Sequence, residues 1–403
     1  MQSPLEGIRV VDATRWAFGP FVGVCLADMG AEVIKVEDPV SGDGSRWVHK
    51  SRDVPIETEH NPVFELLNRG KRGMAIDLNQ ERGKEILYRL VKTADIFLTA
   101  QRPKSALKLG IDYESLRKIN PRLIYAHCGA WGDKGPAREA PAFDGSALAR
   151  SGLMHIIGEK GNPPPNCPHG MGDLVGSITM AYGIMLALRH RELTGKGQKV
   201  EVSLFGTMIT VMEAMSQEVS LHANVDYPQH SRTSPTNALS NTYQTKDGRW
   251  LLLNMHQTDP YWHDFCQAVG IGQWENDPRF REHLTRCDNA NDLRLILEET
   301  FSQKNLSDWV KSLEGTGIPW APVQTIQEVW DDPQVLENEF IVSYEHPTRG
   351  RQRTVGPPVK LSGVSPQINR SVPELGQNTE EILLQLGYSW EEIQGLKQEQ
   401  VIM

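Results

Sequence analysis

The feature that most constrains the fold is a regular alternation of strand-like and helix-like segments over the first 130 residues of this 403-residue chain. Runs rich in β-branched residues predict strands, and runs with apolar residues at helical spacing predict helices. The predicted strands are Gly7–Asp12, Ala31–Val36, Met74–Leu78, Ala94–Leu98 and Arg122–His127. The predicted helices between them are Pro20–Met29, Arg82–Thr93 and Tyr113–Ile119. This order predicts an α/β fold with a mostly parallel sheet flanked by helices.

The strongest helical pattern in the chain runs from Asp173 to Arg191, after a loop rich in Gly and Pro at residues 158–172. Asp173 has two interpretations. As a helix cap, its carboxylate would accept hydrogen bonds from the first backbone amides, and the spacing alone favours this role. As a nucleophile, it would stay free, and the helix N-terminus would favour its ionised form. The two interpretations compete, because a carboxylate engaged by backbone amides is a poor nucleophile.

The composition shifts at about residue 225, which we take as a domain boundary. Beyond it, Asn241–Leu253 predicts a β-hairpin with its turn at residues 246–249. Residues 258–315 then carry several helical patterns. We therefore predict a smaller α+β domain over residues 225–330, followed by a C-terminal segment that is helical again.

The net charge limits the ligands that the chain can bind. The sequence has 42 Lys and Arg against 51 Asp and Glu, which gives −9 at pH 7 with His neutral. This acidic total argues against a nucleic-acid partner, but it allows an anionic small ligand in a local basic pocket. The basic residues of the N-terminal third are either solvated surface or a phosphate cradle, if they converge in space: Arg46, Arg69, Lys71, Arg72, Arg102, Lys104 and Lys108.

The cysteine pattern and the apolar runs bear on the compartment. The five cysteines show no CxxC and no zinc spacing, so the sequence predicts a reduced, cytoplasmic setting and no metal site. The N-terminus has no apolar run of signal-peptide length. We also expect no membrane segment, since no stretch reaches the ~20 consecutive apolar residues that a bilayer requires.

A series of motifs in a fixed order is more specific than any one of them. They are Pro4–Val10, Gly19-Pro20, Ala31–Glu37, Gly42-Asp43, Asn68–Arg72, Asp77-Leu78, Asn120–Tyr125, Gly132–Pro136, Gly172-Asp173-Leu174, Ala187–Arg191, Thr194–Gln198, Asp247-Gly248, Pro319–Val323 and Leu386–Tyr388. This series closely resembles the class III (CaiB/BaiF type) coenzyme A transferases, the family of formyl-CoA transferase and carnitine CoA-transferase. The resemblance covers essentially the whole chain.

The resemblance implies an architecture. The family has a Rossmann-like large domain built from both chain ends, here residues 1–224 and 331–403, and a smaller domain between them. Two subunits interlock, so a homodimer is expected, and CoA binds the large domain with the active site near the interface. The substrates are an acyl-CoA and a carboxylic acid, and no permanently bound cofactor is implied.

The resemblance also assigns site residues. The catalytic aspartate of the family matches Asp173, which favours the nucleophile over the cap. The segments that contact CoA match Ala17, Phe18, Asp38, Ile76, Asp77, Leu78, Asn79, Ala100, Gln101, Arg102, Lys108, Ala142, Phe143 and Asp144. Arg69, Lys71 and Lys108 are expected to hold CoA phosphates.

Several matched positions depart from formyl-CoA transferase, which argues against a formyl/oxalate substrate pair. Ala17, Asp38, Ala100 and Phe143 replace a glutamine, a basic residue, an asparagine and a tyrosine, and the glycine-rich flap has no counterpart. We therefore expect an acyl-CoA:carboxylate CoA-transferase that works through aspartyl-anhydride and aspartyl-CoA thioester intermediates on Asp173, with the two acids undetermined.

Two alternatives remain on the sequence alone. The same fold hosts α-methylacyl-CoA racemases, which use a histidine within a Gly-His-Asp triplet. Here the matching triplet is Ala142-Phe143-Asp144, so two-base proton exchange lacks its imidazole. The other alternative is a non-catalytic CoA-binding subunit, against which the presence of Asp173 argues.

Overall fold

The structure is a computed structural model, and it describes residues 3–51, 54–56, 61–222, 228–346, 349–365, 368 and 372–403. The chain divides into two compact units. The first unit contains residues 1–154, 166–225 and 336–403, and the second contains residues 155–165 and 226–335. The domain boundary predicted at residue 225 lies outside the described residues, and the one at residue 330 stays a prediction.

The described residues form the following strands and helices, named in chain order. The strands are β1 (Arg9–Ala13), β2 (Glu32–Glu37), β3 (Lys50–Ser51), β4 (Val54–Pro55), β5 (Arg72–Ala75), β6 (Ile96–Thr99), β7 (Ile124–Gly129), β8 (Lys199–Ser203), β9 (Ser240–Gln244), β10 (Trp250–Asn254), β11 (Trp320–Pro322), β12 (Ile341–His346) and β13 (Gly350–Val355). The α-helices are α1 (Phe18–Ala27), α2 (Pro62–Asn68), α3 (Glu81–Lys92), α4 (Pro103–Leu109), α5 (Tyr113–Ile119), α6 (Asp144–Arg150), α7 (Leu153–Ile156), α8 (Met171–Thr194), α9 (Leu204–Val211), α10 (Glu213–Leu221), α11 (Asp259–Val269), α12 (His283–Asp288), α13 (Ala290–Phe301), α14 (Leu306–Leu313), α15 (Ile326–Asp331), α16 (Pro333–Glu337), α17 (Thr379–Gln385) and α18 (Trp390–Gln398).

The first unit is built on a parallel sheet with the spatial order β5-β2-β1-β6-β7-β8. From β1 the chain adds β2 and β5 on one side, and then β6, β7 and β8 on the other. The direction therefore reverses between β1 and β6. In α/β proteins, ligands bind outside the carboxyl ends of the strands at such a reversal. The predicted α/β fold with a mostly parallel sheet is confirmed.

Helices cover both faces of this sheet. On one face, Ile86 and Leu90 of α3 share an apolar cluster with Phe97 of β6 and with Ile382 and Ile393 of the C-terminal helices, all buried. The spacing of Ile86 and Leu90 places both on one side of α3. Burying each such side chain contributes about 1.5–3 kcal/mol to the free energy of unfolding.

On the other face, α1 and α8 pack side by side. Val22 and Leu26 of α1 lie in one cluster with Met180 and Ile184 of α8 and with Ile96 of β6. All five side chains are 2% exposed or less, so the two helices form one layer fixed to the sheet. This layer sets the position of the N-terminal end of α8.

The second unit has its own core around the antiparallel sheet β11-β10-β9. Trp250 of β10 pairs with Gln244 of β9, which confirms the predicted hairpin and its turn. Tyr243, Leu251 and Phe301 are fully buried in this core.

Helix α8 is long and apolar enough, by length and composition alone, to cross a membrane. The sequence expectation of no membrane segment stays a prediction, because length and composition alone do not separate a membrane helix from a core helix. Within the first unit, however, α8 packs against α1, α9, β7 and β8. It buries Met180 and Ile184 completely, which is the packing of a core helix.

Candidate active site

The N-terminal end of α8 is capped by a side chain from elsewhere in the sequence. Asp144, at the start of α6, accepts hydrogen bonds from the backbone N–H groups of Gly170 and Asp173, each at 3.0 Å. Gly170 occupies the N-cap position with φ of 79°, a conformation that glycine adopts without strain. The interpretation of Asp173 as the helix cap is therefore wrong, because Asp144 performs that role.

The carboxylate of Asp173 is left free. It lies in the first turn of α8, it is half-buried, and it accepts no hydrogen bond from the described residues. Burial, together with the negative charge of Asp144, raises the pKa of Asp173 to about 7. With this pKa, the protonated and the ionised forms of Asp173 are nearly equally populated at neutral pH. The helix N-terminus favours the ionised form.

Two glycines allow other groups to approach α8 closely at this end. A Cβ atom at Gly172 would lie 2.6 Å from Oδ1 of Asp144, and one at Gly176 would lie 2.9 Å from Cε2 of Phe18. The Ser177 hydroxyl donates a 2.6 Å hydrogen bond to the carbonyl oxygen of Phe18. Phe18 was predicted to contact CoA, but it is only 6% exposed. Its side chain packs against α8 and does not face a ligand.

An exposed aromatic pair lies beside the cap. The rings of Trp16 and Phe143 meet edge to face with centroids 5.8 Å apart, and Phe143 directly precedes Asp144. Trp16 has φ of 67°, an unusual conformation for a bulky residue. The backbone N–H of Trp16 donates to Asp43 at 3.1 Å, and Asp43 forms a buried ion pair with Lys35 at 2.8 Å. Strain of this kind clusters at functional sites.

Ala17 and Ala142 adjoin the two aromatic residues in the sequence and are half-buried. The sequence analysis proposed Phe143, Ala17 and Ala142 as site residues but did not propose Trp16. No local pattern distinguishes Trp16 from other exposed tryptophans, and only its backbone conformation and its contact with Phe143 reveal its place.

A cleft of about 110 Å³ opens at the carboxyl ends of β1, β2, β5 and β6. Five of the predicted CoA-contacting residues line this cleft together, namely Asp38, Ile76, Leu78, Asn79 and Gln101. Its size suits a small ring system rather than the whole of CoA, so most of such a ligand would lie across the outer edge of the sheet. This is the edge at which the strand order reverses.

Arg15 also lines this cleft and was missed by the sequence analysis. Its guanidinium is exposed, and no carboxylate among the described residues pairs with it. Burial raises the pKa of Asp38, but hydrogen bonds from Ser41 and the nearby charge of Arg15 lower it overall. The sequence could have indicated Arg15 only by its position, because Arg15 follows β1 where the strand order reverses.

The structure corrects the expectation that Lys71 holds a phosphate. Its ammonium is fully buried, and oxygen atoms of Asp12, Asn68 and two backbone carbonyls lie 2.7–3.0 Å from it to accept its three hydrogens. Burial lowers the pKa of Lys71 to about 8, against the opposing effect of Asp12. The side chain therefore holds the fold together beneath the site.

Arg69 requires the same correction, because it is 8% exposed and forms a 2.7 Å ion pair with Asp28. The remaining predicted residues lie at the surface. Arg102 donates to the Glu139 carbonyl oxygen, and Lys108 is exposed in the last turn of α4. Ala100 is exposed between β6 and α4, while half-buried Asp77 accepts hydrogen bonds in its own turn.

Comparisons with known proteins agree on one family. The model of CoA-transferase family III matches residues 5–379 of this chain. The (R)-2-hydroxy-4-methylpentanoate CoA-transferase of Clostridioides difficile is 33% identical over 399 residues, which covers 99% of each chain. The cinnamoyl-CoA:phenyllactate CoA-transferase of Clostridium sporogenes is 33% identical over 404 residues, covering 99% of this chain and 97% of the relative.

The solved structures include a match of the same kind. A CAIB/BAIF family protein from Brucella suis superposes with a TM-score of 0.85 at 29% identity. The match covers 96% of this chain and 100% of that protein.

Proposed function

The chain belongs to CoA-transferase family III, and we propose that it moves CoA from a donor acyl-CoA to an acceptor carboxylic acid through covalent intermediates on Asp173. The observation that carries this proposal is the free, half-buried carboxylate in the first turn of α8. Asp144 takes the two backbone amides that would otherwise engage a carboxylate at this helix end.

The proposed reaction begins when a carboxylate oxygen of Asp173 attacks the thioester carbonyl carbon of the donor. The C–S bond breaks, CoA leaves as a thiolate, and a mixed anhydride joins Asp173 to the donor acyl group. The thiolate then attacks the carbonyl carbon of Asp173. This releases the donor acid as a carboxylate and leaves CoA on Asp173 as a thioester, which conserves the free energy of the starting bond.

The acceptor carboxylate repeats these steps in reverse. It attacks the aspartyl thioester and expels the CoA thiolate, which forms a second mixed anhydride. The thiolate attacks the acceptor acyl carbon, and Asp173 leaves as a free carboxylate. Water must stay out of the site, because it would hydrolyse both intermediates.

One backbone amide is available to stabilise the tetrahedral oxyanions. The first-turn amides of Met171, Asp173 and Leu174 already donate to oxygen acceptors. The amide of Gly172 has no acceptor within the described part of the chain, and it adjoins Asp173 directly. We assign it to the oxyanion, where one such donor is typically worth about 3 kcal/mol.

The exposed aromatic pair points to the class of acyl group. Trp16 is 46% exposed and Phe143 is 67% exposed, so both rings offer apolar surface beside the cap of α8. An apolar acyl chain or an aryl group would bury this surface and keep water from the intermediates. The names of the two relatives, with 4-methylpentanoate and cinnamoyl groups, support the same class.

The exposed Arg and Lys side chains near the sheet edge are the candidates for binding the phosphates of CoA. With Lys71 and Arg69 buried, the exposed cations of this part of the described chain include Arg15, which lines the cleft, and Arg102, Lys104 and Lys108 at the helix that follows β6. Arginine suits phosphate because its planar group donates two parallel hydrogen bonds. These contacts would hold the thioester in position for attack.

Trapping the intermediate tests the nucleophile. Incubation with an apolar acyl-CoA and hydroxylamine should convert Asp173 to a hydroxamate, which peptide mass mapping detects. Asp173→Asn should lose trapping and at least about 10³-fold in kcat, while calorimetry shows CoA binding within about twofold of the original. Asp308→Asn is the matched control, because Asp308 also lies in a first helical turn, that of α14, and should change nothing.

Four results would contradict the proposal. Label on another residue, or near-normal turnover by Asp173→Asn, would remove Asp173 from the reaction. Exchange of the substrate α-proton with deuterated water, without any acceptor acid, would indicate a racemase. An inactive purified chain that still binds CoA would indicate a binding subunit.

A further inference from the structure

The second unit contains an open surface cavity of about 650 Å³, larger than the cleft of about 110 Å³ at the sheet edge. One wall is the turn that carries Lys160 and Asn162, and another carries Arg232. The hairpin β9–β10 contributes Thr242 and Trp250. This volume lies within the range of small-molecule sites, and no residue of the mechanism above lines it.

The walls of this cavity are fixed to one another. The backbone N–H of Lys160 donates to the His230 carbonyl oxygen at 2.9 Å. The Glu159 carboxylate accepts the backbone N–H of Arg232 through both oxygens at 2.9 Å, and the Ser231 hydroxyl at 3.1 Å. The N–H of Val323, which also lines the cavity, donates to the Trp250 carbonyl oxygen at 2.9 Å. The cavity is therefore preformed by the fold.

The charges around the cavity leave one cation without a partner. Hydrogen bonds from the backbone N–H of Arg232 hold the pKa of Glu159 low, so this carboxylate is ionised and already occupied. Glu298 accepts Arg232 at 2.7 Å and Arg294 at 2.6 Å. Within the described residues the ammonium of Lys160 has no carboxylate partner. Three cations and two anions thus leave one positive charge here, in a chain of net charge −9.

The apolar part of the lining is flat. The Trp250 ring forms one wall, with the Arg232 guanidinium 5.4 Å from its centroid, and Val323 lies beside it. Because Arg232 already pairs with Glu298, it offers a planar surface more than a free charge. The Asn162 amide and the Thr242 hydroxyl supply neutral hydrogen-bonding groups.

We propose that this cavity is a second binding site, for a small organic acid with one carboxylate and a flat apolar body. The carboxylate meets Lys160, and the body stacks on Trp250 and Val323. Inorganic phosphate fits less well, because the site offers a single unpaired ammonium and no unpaired guanidinium fork. The proposal is independent of the chemistry at Asp173.

Photolabelling locates the site in the intact chain. The probe is an aryl-diazirine carboxylate, applied to the Asp173→Asn variant so that no covalent acyl transfer interferes. Mass mapping should place the label within residues 159–162, 232–242, 250 or 323. Excess phenylacetate should protect these residues, whereas neutral phenylacetamide and inorganic phosphate should not. Label confined to the first unit, or equal protection by phosphate, would overturn the proposal.

A matched pair of lysine variants tests the charge. Calorimetry with phenylacetate should show binding weakened about tenfold by Lys160→Met, as expected for loss of a charged hydrogen bond. Lys246→Met is the control, since Lys246 is exposed in the turn of the same hairpin and does not line the cavity. Equal affinity in the two variants would overturn the assignment. Both lysines are exposed, so both variants should fold.

Discussion

At the scale of single residues, two carboxylates on neighbouring helices have different roles. Asp144 binds the backbone amides at the start of α8, and Asp173 is left without a donor. The same arrangement raises the pKa of Asp173, through burial first and the charge of Asp144 second. A pair of titratable groups placed in different environments is a recurring way to assign different roles to similar side chains.

Removing the charge of Asp144 should shift the pH dependence of transfer. With a pKa of about 7, only about one-tenth of Asp173 is ionised at pH 6. In Asp144→Asn the neighbouring negative charge is gone, so the pKa of Asp173 falls and the acid limb of the kcat profile moves to lower pH. The expected gain at pH 6, relative to the plateau, is about fivefold.

The side-chain amide that Asp144→Asn introduces offers only one acceptor oxygen to two N–H groups, so the cap should weaken by about 1 kcal/mol. Thermal unfolding measures that cost separately from the pH profile. An acid limb that stays in place would show that Asp144 has no electrostatic effect on the nucleophile.

The raised pKa of Asp173 also predicts how stability depends on pH. Between the ordinary value of 3.8 and about 7, the folded state binds more protons at this position than the unfolded state. The free energy of unfolding therefore falls as pH rises through this window. Asp173→Asn removes the effect and should stabilise the protein at pH 8 by on the order of 1–3 kcal/mol, with little change at pH 4.

Denaturant unfolding of both proteins at the two pH values checks this prediction. The sign matters more than the size, because a carboxylate stabilised by its surroundings would give the opposite trend. Equal stability of the two proteins at pH 8 would mean that Asp173 carries no burial penalty.

The residue scale also shows where sequence reasoning ends. The sequence proposed Asp173, Asp144 and Phe143 as site residues through their motifs. It placed Lys71 on a phosphate, although Lys71 is buried against Asp12. Charge and spacing cannot tell an inward-facing lysine from an outward-facing one when its partner lies 59 positions away.

At the scale of elements, the contact between α1 and α8 sets the position of the nucleophile. A methyl group at Gly176 would lie 2.9 Å from the Phe18 ring, so Gly176→Ala should push the helices apart. We expect a loss of about 1–3 kcal/mol in stability and at least about tenfold in kcat, as Asp173 moves.

Gly395→Ala is the matched control for this contact. Gly395 lies within α18, and nothing lies within 4 Å of its added methyl group. The substitution should stabilise the protein by up to about 1 kcal/mol and leave kcat unchanged. Similar behaviour of the two variants in thermal unfolding and kinetics would show that the helix contact does not position the site.

The elements themselves were largely predictable. Tyr113–Ile119 has the bounds that the sequence indicated, because its periodicity and its cap are local. The start of α8 was less accessible. Its cap is Asp144, which lies 29 positions before the amide of Asp173, so no local pattern reports it.

At the scale of the whole molecule, the sequence predicted the parallel sheet, since an alternating strand–helix order allows few other arrangements. The strand order was not predictable, because it depends on which strand edges meet. The assignment of residues 155–165 to the second unit also escaped the sequence analysis. Hydrogen bonds that span 73 and 74 positions join that segment to residues 229–233.

The outer face of α8 supports the homodimer that the family resemblance implies, which stays a prediction. Four large apolar side chains on one side of this helix are between 42% and 69% exposed, namely Ile178, Tyr182, Leu186 and Leu193. Together they form a stripe along a helix whose opposite face is buried in the sheet layer. A stripe of this length is unusual on a monomer and is typical of an interaction surface.

Light scattering after size exclusion should give twice the chain mass of 45.2 kDa for the unmodified protein. Leu186→Glu places a charge in the middle of the stripe and should shift the mass toward the monomer at micromolar concentration. Leu284→Glu is the control, since Leu284 is 73% exposed on α12 and lies in the second unit. Because Leu186 is 54% exposed, its substitution leaves the core intact, so a dimer that survives the charge would have to use another surface.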